Sequence, residues 1–365
     1  MSDLLTPEDL AAQPLQQALA LPAPCYTDPD MPALDMRAVF AHGWELVGHV
    51  SRPTGIGDYV VTEAAGVPLL LVRSDATTLR AFHNVCRHRA GPLAVCDGRG
   101  ARALRCQYHG WTYGLDGVLR GAPEMGRTPD FDPAAIRLPQ ACVQVWQGLV
   151  FATPDETTAP PFADFVAGID TRLGAADALA GLVFHRRVCY EMACNWKVYV
   201  DNYLEGYHVP HIHPGLDRLL DYRSYITETA EWYSLQYSPL QSAPELYGRG
   251  EALYYFLYPN TMLNILPGRL QTNRVLPLGV DRCRVEFDFY YAPDTDPGAA
   301  ARRARDLAFS DEVQREDGDM CARVQRGLAS GSYRTGRLNP LRENAVHHFH
   351  ERLRQAYREA TAAAA

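Results

Sequence analysis

Two short runs, "CRHRAG" (86–91) and "CQYHGW" (106–111), decide how this chain is read. The first carries Cys86-x-His88 and the second Cys106-x-x-His109, with seventeen residues between His88 and Cys106. Two thiolates and two imidazoles complete a tetrahedral zinc site, but structural zinc sites usually pair cysteine with cysteine and histidine with histidine. Here each run mixes the two. The mixture suits a two-iron cluster in which the cysteines hold one iron and the histidines the other, because each loop then touches both metals. His83 falls outside the spacing and reads as a strand or loop histidine. Cys96 lies between the runs without a partner and reads as a structural thiol.

The surroundings of these runs are β-like. Residues 44–151 alternate in short strands. "GDYVVTEAAGVPLLLVRSD" is split at Gly66, and "GWTYGLDGVL" reads as a hairpin around Asp116-Gly117. A Pro/Thr-rich stretch, "TPDETTAPP" (153–161), marks a boundary. Three parts result: 1–43, an N-terminal segment expected to pack on the catalytic domain; 44–157, the cluster domain; and 158–365, where helical and strand patterns mix. The fold class is α+β. Composition agrees with a globular chain of two domains: 365 residues, 47% hydrophobic and 21% charged. A net charge of −8 without a basic stripe excludes nucleic acid as a partner. No apolar run reaches membrane-spanning length and the start has no leader pattern, so no membrane role is expected. Nine scattered cysteines, an odd number, fit a reducing compartment, with the cytoplasm as the default.

A second donor group lies in "DNYLEGYHVPHIHPG" (201–215). On a helix through "NWKVYVDNYLEGYHV", Asn202, Glu205 and His208 share one side. Pro210 ends regular helix, so His213 sits on the following turn. Two imidazoles and one carboxylate on one face of a metal leave positions open, the facial triad of non-haem Fe(II) oxygenases. The helix "SDEVQREDGDMCARVQRGL" (310–328) offers the acid. Val313, Met320, Cys321, Val324 and Leu328 mark its apolar stripe, Asp317 lies within it, and Glu316 and Asp319 point elsewhere. An acid on a buried face needs a partner, either a metal or a buried Arg or Tyr. His211 competes as a ligand, and "VHHFH" (346–350) reads as a helix surface or packing cluster and not as a metal site.

"HRAGPL" and "YHGWTYGLDG" resemble the cluster loops of Rieske domains. Joined to "NxxExxHxxxxH" and a late "ED" helix, they resemble the large (alpha) subunit of Rieske non-haem iron oxygenases over nearly the whole chain. The resemblance implies an all-β Rieske domain with a [2Fe–2S] cluster on Cys86, His88, Cys106 and His109. It also implies a helix-grip (START-like) catalytic domain with mononuclear Fe(II) on His208, His213 and Asp317. The family's four-residue gap favours His213 over His211. Many members have aspartate where this chain has Glu205; that acid bridges a cluster histidine of one subunit to an iron-bound histidine of the next, which implies a homotrimer. Glu205 and "VQRGLASGSYRTGRL" (324–338) are similar to the branch that oxidises carnitine, choline and glycine betaine.

The implied reaction uses O2, two electrons and two protons to oxidise a C–H bond of a small-molecule substrate. No GxGxxG or P-loop is present, so NAD(P)H and flavin act on a separate reductase of flavin and [2Fe–2S] type. The expected substrate is a small quaternary or methylated amine. Fourteen of the twenty tyrosines lie between Tyr190 and Tyr291 with Trp196 and Trp232 among them, "LYYFLYPN" included, and aromatic faces attract such cations. Tyrosines also favour half-buried strands, which accounts for many of them without a ligand. The alternatives are an aromatic-acid hydroxylase or aryl ether O-demethylase, anchored by Arg269 or Arg274, and an electron carrier without oxygenase activity, which has no need of His208, His213 and Asp317.

Overall fold

The structure, a computed structural model, describes residues 5–174, 178–240, 247, 250–293 and 296–362. Residues 40–163 and 167–181 form one compact unit; the described residues up to 39, 164–166 and from 182 onward form another. Helices α1 (Pro24–Thr27) and α2 (Met31–Ala38) open the chain and belong to the latter.

In the first unit, β1 (Glu45–His49), β2 (Tyr59–Ala64), β3 (Val67–Arg73), β4 (Leu79–His83), β8 (Gln140–Trp146) and β9 (Leu149–Thr153) make an antiparallel sheet in the order β1-β9-β8-β4-β3-β2. The pair β2–β3 turns at Ala65 and Gly66, both left-handed (φ 48° and 73°), as the split at Gly66 predicts. A small sheet of β5 (Leu104–Arg105), β6 (Thr112–Tyr113) and β7 (Leu119–Gly121) includes the hairpin expected at Asp116-Gly117, where Gly114 N–H donates and Val118 O accepts within the turn's closing bond (Gly114 N to Val118 O, 2.8 Å). Side-chain alternation on β3 sends Leu69 and Leu71 to one core and Leu70 and Val72 to another. The second of these cores holds Phe82, Trp111 and Tyr113 around Cys86 and Cys106. Helices α3 (Phe162–Phe165) and α4 (Ile169–Leu173) follow in sequence.

The other unit is the helix-grip part. Its antiparallel sheet runs β10-β16-β15-β14-β13-β12-β11, with β10 Val183–Met192, β11 Ile226–Thr229, β12 Tyr233–Pro239, β13 Glu251–Leu257, β14 Thr261–Leu266, β15 Arg269–Pro277 and β16 Cys283–Tyr291. Between β10 and β11 lie α5 (Trp196–Tyr203), α6 (Val209–Ile212) and α7 (Pro214–Leu219); α8 (Ala299–Ala329) and α9 (Asn344–Ala362) follow the last strand. Helix α5 packs against both α8 and β15.

Two expectations about these helices are corrected. Regular helix stops at Tyr203, so Asn202, Glu205 and His208 do not share one continuous helix. The buried face of α8 is largely polar: Asp306, Ser310, Gln314, Cys321 and Gln325 are buried, whereas Val324 is exposed. An apolar stripe misplaces this face because the helix packs against hydrogen-bonding groups. Asn195 caps α5, accepting from Lys197 N–H at 3.0 Å, and its own N–H donates to Gln325 Oε1 at 2.9 Å. Beside the cap, the fully buried Lys197 pairs with Asp35 of α2, which also accepts from Trp196 Nε1 (2.8 Å) and Tyr357 Oη (2.6 Å). "VHHFH" packs inward, with the buried His350 bonded through Nε2 to Asp201 at 2.9 Å.

Candidate functional site

The two cysteine–histidine runs fold into twin loops. In the first, Ala90 N–H donates to Cys86 O (3.0 Å) and Cys86 N–H to Gly91 O (2.9 Å). In the second, Gly110 N–H donates to Cys106 O (3.0 Å) and Cys106 N–H to Trp111 O (2.9 Å). Ala90 and Gly110, each four residues past its cysteine, are both left-handed (φ 56° and 74°). The cysteines are buried, His88 is exposed and His109 half-buried, and the two imidazole centroids lie 4.6 Å apart. His88 stacks on Trp111 (4.8 Å, 8°). Tyr113 Oη accepts from Arg87 N–H at 3.0 Å and shares a second hydrogen bond with Cys86 Sγ at 3.3 Å.

This donor set fits a two-iron cluster. Inward thiolates and outward imidazoles separate the ligand types as the mixed spacing requires. A Cβ on Gly91 would stand 3.1 Å from Cys106 Sγ, so glycine keeps the space beside that sulfur open.

In the other unit, one ligand atom each from His208, His213 and Asp317 lies within 4.8 Å of the other two. His213 Nε2 is 2.9 Å and His208 Nε2 3.8 Å from Asp317 Oδ1. His213, buried, sits at the junction of α6 and α7, off regular helix as expected; Pro210, however, does not end a helix but lies in the first turn of α6, and His211 is exposed and outside the group. Each histidine has a carboxylate on its far nitrogen. Glu205 Oε1 lies 2.6 Å from His208 Nδ1, while Oε2 accepts the His208 backbone N–H at 3.0 Å. Glu316 Oε2 lies 2.7 Å from His213 Nδ1. Asn202 Nδ2 donates to Asp317 Oδ1 at 2.7 Å. Burial alone would depress His213, but the Asp317 and Glu316 carboxylates hold it above the usual histidine range. With each Nδ1 bonded to a glutamate, both Nε2 atoms face Asp317, and a divalent cation between them would take the place of the proton that His213 otherwise shares with Asp317.

Glu316 corrects the sequence reading, which turned it away from the site. Successive helix residues are about 100° apart, and the His213 ring is wedged across both: Nδ1 meets Glu316 and Nε2 meets Asp317. Asp319 is exposed, as expected. The adjacency "ED" was the available signal.

Beside the triad is a cavity of about 130 Å³. Tyr203, Tyr225, Tyr254, Phe287 and Phe309 supply aromatic rings to its wall. Trp196 and Trp232 do not line it: the Trp196 N–H is bound to Asp35, and Trp232 carries the Arg352 guanidinium 3.7 Å from its ring centroid. Of the rings in "LYYFLYPN", Tyr254 lines the cavity; strand alternation turns Tyr255 to the other face, and Phe256 and Tyr258 pack against Phe349 of α9. Arg269 lines the cavity, paired to Asp306 at 2.7 Å; Arg274, on the other face of β15, does not.

Comparison with known proteins fits this arrangement. Residues 179–359 match the family model described as ring hydroxylating alpha subunit (catalytic domain), and residues 43–133 match the Rieske [2Fe-2S] domain. The chain is 36% identical to the chloroplastic choline monooxygenase of Arabidopsis thaliana, over 92% of this chain and 82% of that protein. It is 31% identical to the carnitine monooxygenase oxygenase subunit of Escherichia coli (strain K12), over 98% of both chains. A solved quaternary ammonium Rieske monooxygenase, described as giving insights into carnitine oxidation and inter-subunit electron transfer, superposes with a TM-score of 0.87. That match has 26% identity and covers 95% of this chain and 99% of the other.

Proposed function

Because this chain belongs to the Rieske oxygenase large subunits that include the choline and carnitine monooxygenases, we propose that it oxidises a small quaternary or methylated amine at a carbon next to nitrogen, by hydroxylation or N-demethylation. The observation that carries the reading is the aromatic cavity beside His208, His213 and Asp317. A methylated ammonium cannot donate strong hydrogen bonds, and ring faces attract it by about 0.5–2 kcal/mol each.

In this reading Cys86, His88, Cys106 and His109 hold the cluster, and His208, His213 and Asp317 the mononuclear iron. When bound, these centres supply single-electron transfer and reductive activation of O2. Glu205 and Glu316 fix the tautomers of the two histidines, and Asn202 holds the Asp317 carboxylate in orientation. The tyrosine and phenylalanine rings exclude water and hold the cation with a methyl group toward the triad. Arg269, neutralised by Asp306, adds no net positive charge to repel it.

Electrons from NAD(P)H pass through a separate flavin and [2Fe–2S] reductase. The enzyme works as a homotrimer in which Glu205 joins one subunit's iron site to the neighbour's cluster; the description of the solved relative, with inter-subunit electron transfer, supports this. Among the described residues no helix is long and apolar enough to cross a membrane, and we place the enzyme in the cytoplasm. Arg269 also favours a second reading, an aromatic acid as substrate, since even when paired with Asp306 its guanidinium stands at the cavity wall with hydrogen-bond donors. Turnover with a generic reductase decides. Electron use coupled to oxidation of choline- or betaine-like compounds supports the amine reading; clean turnover of benzoate or vanillate with none on amines overturns it.

A further inference from the structure

Three buried thiols meet beneath the metal triad, and the chemistry derived so far uses none of them. Cys194 lies between β10 and α5, Cys283 opens β16, and Cys321 is on α8. The fold brings them together. Met192 is the register partner of Cys283. Beyond it the chain runs against α8: Gln314 Nε2 donates to Met192 Sδ (3.3 Å), a Cβ on Gly318 would stand 2.8 Å from Met192 Cε, and Asn195 N–H donates to Gln325 Oε1 (2.9 Å). Gln314, Gly318, Cys321 and Gln325 follow one another in steps of four, three and four, so they form one stripe of the helix. Cys321 therefore faces the chain between Met192 and Asn195, where Cys194 is. The Cys194 sulfur accepts hydrogen bonds from both other thiols.

A packing role asks nothing of such bonds, whereas two S–H donors on one sulfur favour its thiolate. Hydrogen bonds from Cys283 and then Cys321 hold Cys194 below the usual thiol range against the effect of burial; donation to Cys194 and burial push both partners up. The thiolate is the nucleophile in thiol oxidation. Access comes through Cys321, which lines a second cavity, of about 650 Å³, with Glu205 and His208 also on its wall. Of the two possible partners, Cys283 is the worse placed. Cys194 lies two residues beyond the Met192–Cys283 pair, the offset of a diagonal neighbour. Diagonal sheet neighbours stand about 7–8 Å apart, at or beyond the Cα spacing a disulfide tolerates.

We propose that Cys194 and Cys321 are a modification site that closes to a reversible disulfide in the presence of hydrogen peroxide. The Cys194 sulfur attacks one peroxide oxygen: the S–O bond forms, the O–O bond breaks, and the leaving hydroxide takes the Cys194 proton and departs as water. The Cys321 sulfur then attacks the Cys194 sulfenic acid: the S–S bond forms, the S–O bond breaks, and hydroxide leaves with the Cys321 proton as a second water. The two thiols lose two electrons and peroxide gains them. A dithiol reverses the change by exchange, so in a reducing compartment the thiols are the resting state. The consequence falls on the iron site. Cys321 follows Asp317 by four residues, one turn of α8, and α5 ends with Asn202, which donates to Asp317. A disulfide holds its sulfurs about 2.0 Å apart, closer than any hydrogen bond, and so draws this turn toward the start of α5 and shifts the Asp317 carboxylate.

The full-length protein, with its cluster in place, is exposed to millimolar hydrogen peroxide, desalted, and mapped by mass spectrometry without reduction. A Cys194–Cys321 crosslinked peptide should form and disappear after dithiothreitol. Over the same cycle Fe(II) affinity should fall about tenfold and return, the effect of disturbing a ligand's support. Cys321→Ser and Cys194→Ser should each lose the crosslink and the peroxide effect on iron, and Cys283→Ser should keep both. The two serine variants sit on different segments, so either one answers if the other fails to fold. Oxidation of the exposed Cys96 and Cys189 while Cys194 and Cys321 stay thiols overturns the proposal, as does a Cys194–Cys283 crosslink. The coupling to Asp317 is overturned by a crosslink that leaves iron affinity unaltered, or by an equal fall of affinity in Cys321→Ser.

Discussion

At the scale of the residue, the metal-binding chemistry rests on which nitrogen of each histidine is free. Glu205 and Glu316 occupy the two Nδ1 positions, so the Nε2 atoms converge on Asp317. Removing such a partner typically costs ten- to hundredfold in metal affinity or activity. Glu316→Ala should therefore weaken Fe(II) binding by roughly 10–100-fold in an iron titration, with the visible absorption of the cluster unchanged. Unaltered iron affinity would show that Glu316 only fills space. The neighbouring histidines make a sharper pair of variants. His213→Ala should lower iron from about three to about two atoms per chain, and His211→Ala should leave it at about three. The reverse result would give the ligand role to His211, which the fold leaves exposed.

Elements fix these residues through helix ends and buried pairs more than through apolar stripes. Helix α5 is held at its start by the Asn195 cap and by Lys197 on Asp35. Breaking a buried ion pair by removing one partner leaves an uncompensated charge. Lys197→Met should cost about 3–5 kcal/mol in chemical denaturation, and Asp35→Asn in the same chain should recover much of it. A cost below about 1 kcal/mol for the single variant would mean that the pair contributes little. Helix α9 carries a pH dependence of its own. Burial first, and then Arg352, hold His348 down to about 4. An unfolded histidine titrates near 6.5, so as pH falls the unfolded chain takes up a proton that the folded one refuses. The contribution of His348 is therefore complete above about pH 6.5 and lost progressively toward about pH 4. His348→Gln should flatten the fall of melting temperature across that window; an unchanged slope would assign acid lability elsewhere.

For the whole molecule, two compact units carry the two donor sets: Cys86, His88, Cys106 and His109 in one, and His208, His213 and Asp317 in the other. The proposed homotrimer, with electron transfer between subunits, makes a specific demand on mixtures. Co-expressed Cys86→Ser and His208→Ala chains should form mixed oligomers with measurable turnover, although each variant alone is inactive. Inactive mixed oligomers, isolated by two affinity tags, would confine electron transfer to a single chain. Sedimentation as a monomer would remove the intersubunit route altogether.

The sequence by itself determined the class of fold, and it put forward the two candidate donor sets whose members the structure brings together. Spacing within a loop is local: Cys86-x-His88 and Cys106-x-x-His109 constrain the backbone over a few residues, so they could be read directly, whereas Pro210 opens the short helix α6 and does not end a longer one. The hairpins at Gly66 and Gly117 were legible for the same reason, because left-handed residues are needed there. Tertiary structure alone decided which neighbours those residues meet. Glu316 joins the site because the His213 ring wedges between two successive positions of α8, and no helical periodicity announces a partner a hundred residues away. The polar face of α8 was hidden likewise: each member is unfavourable when buried alone and becomes acceptable only when segments distant in sequence supply its hydrogen-bond partner, as Arg269 does for Asp306 and Gln271 for Ser310.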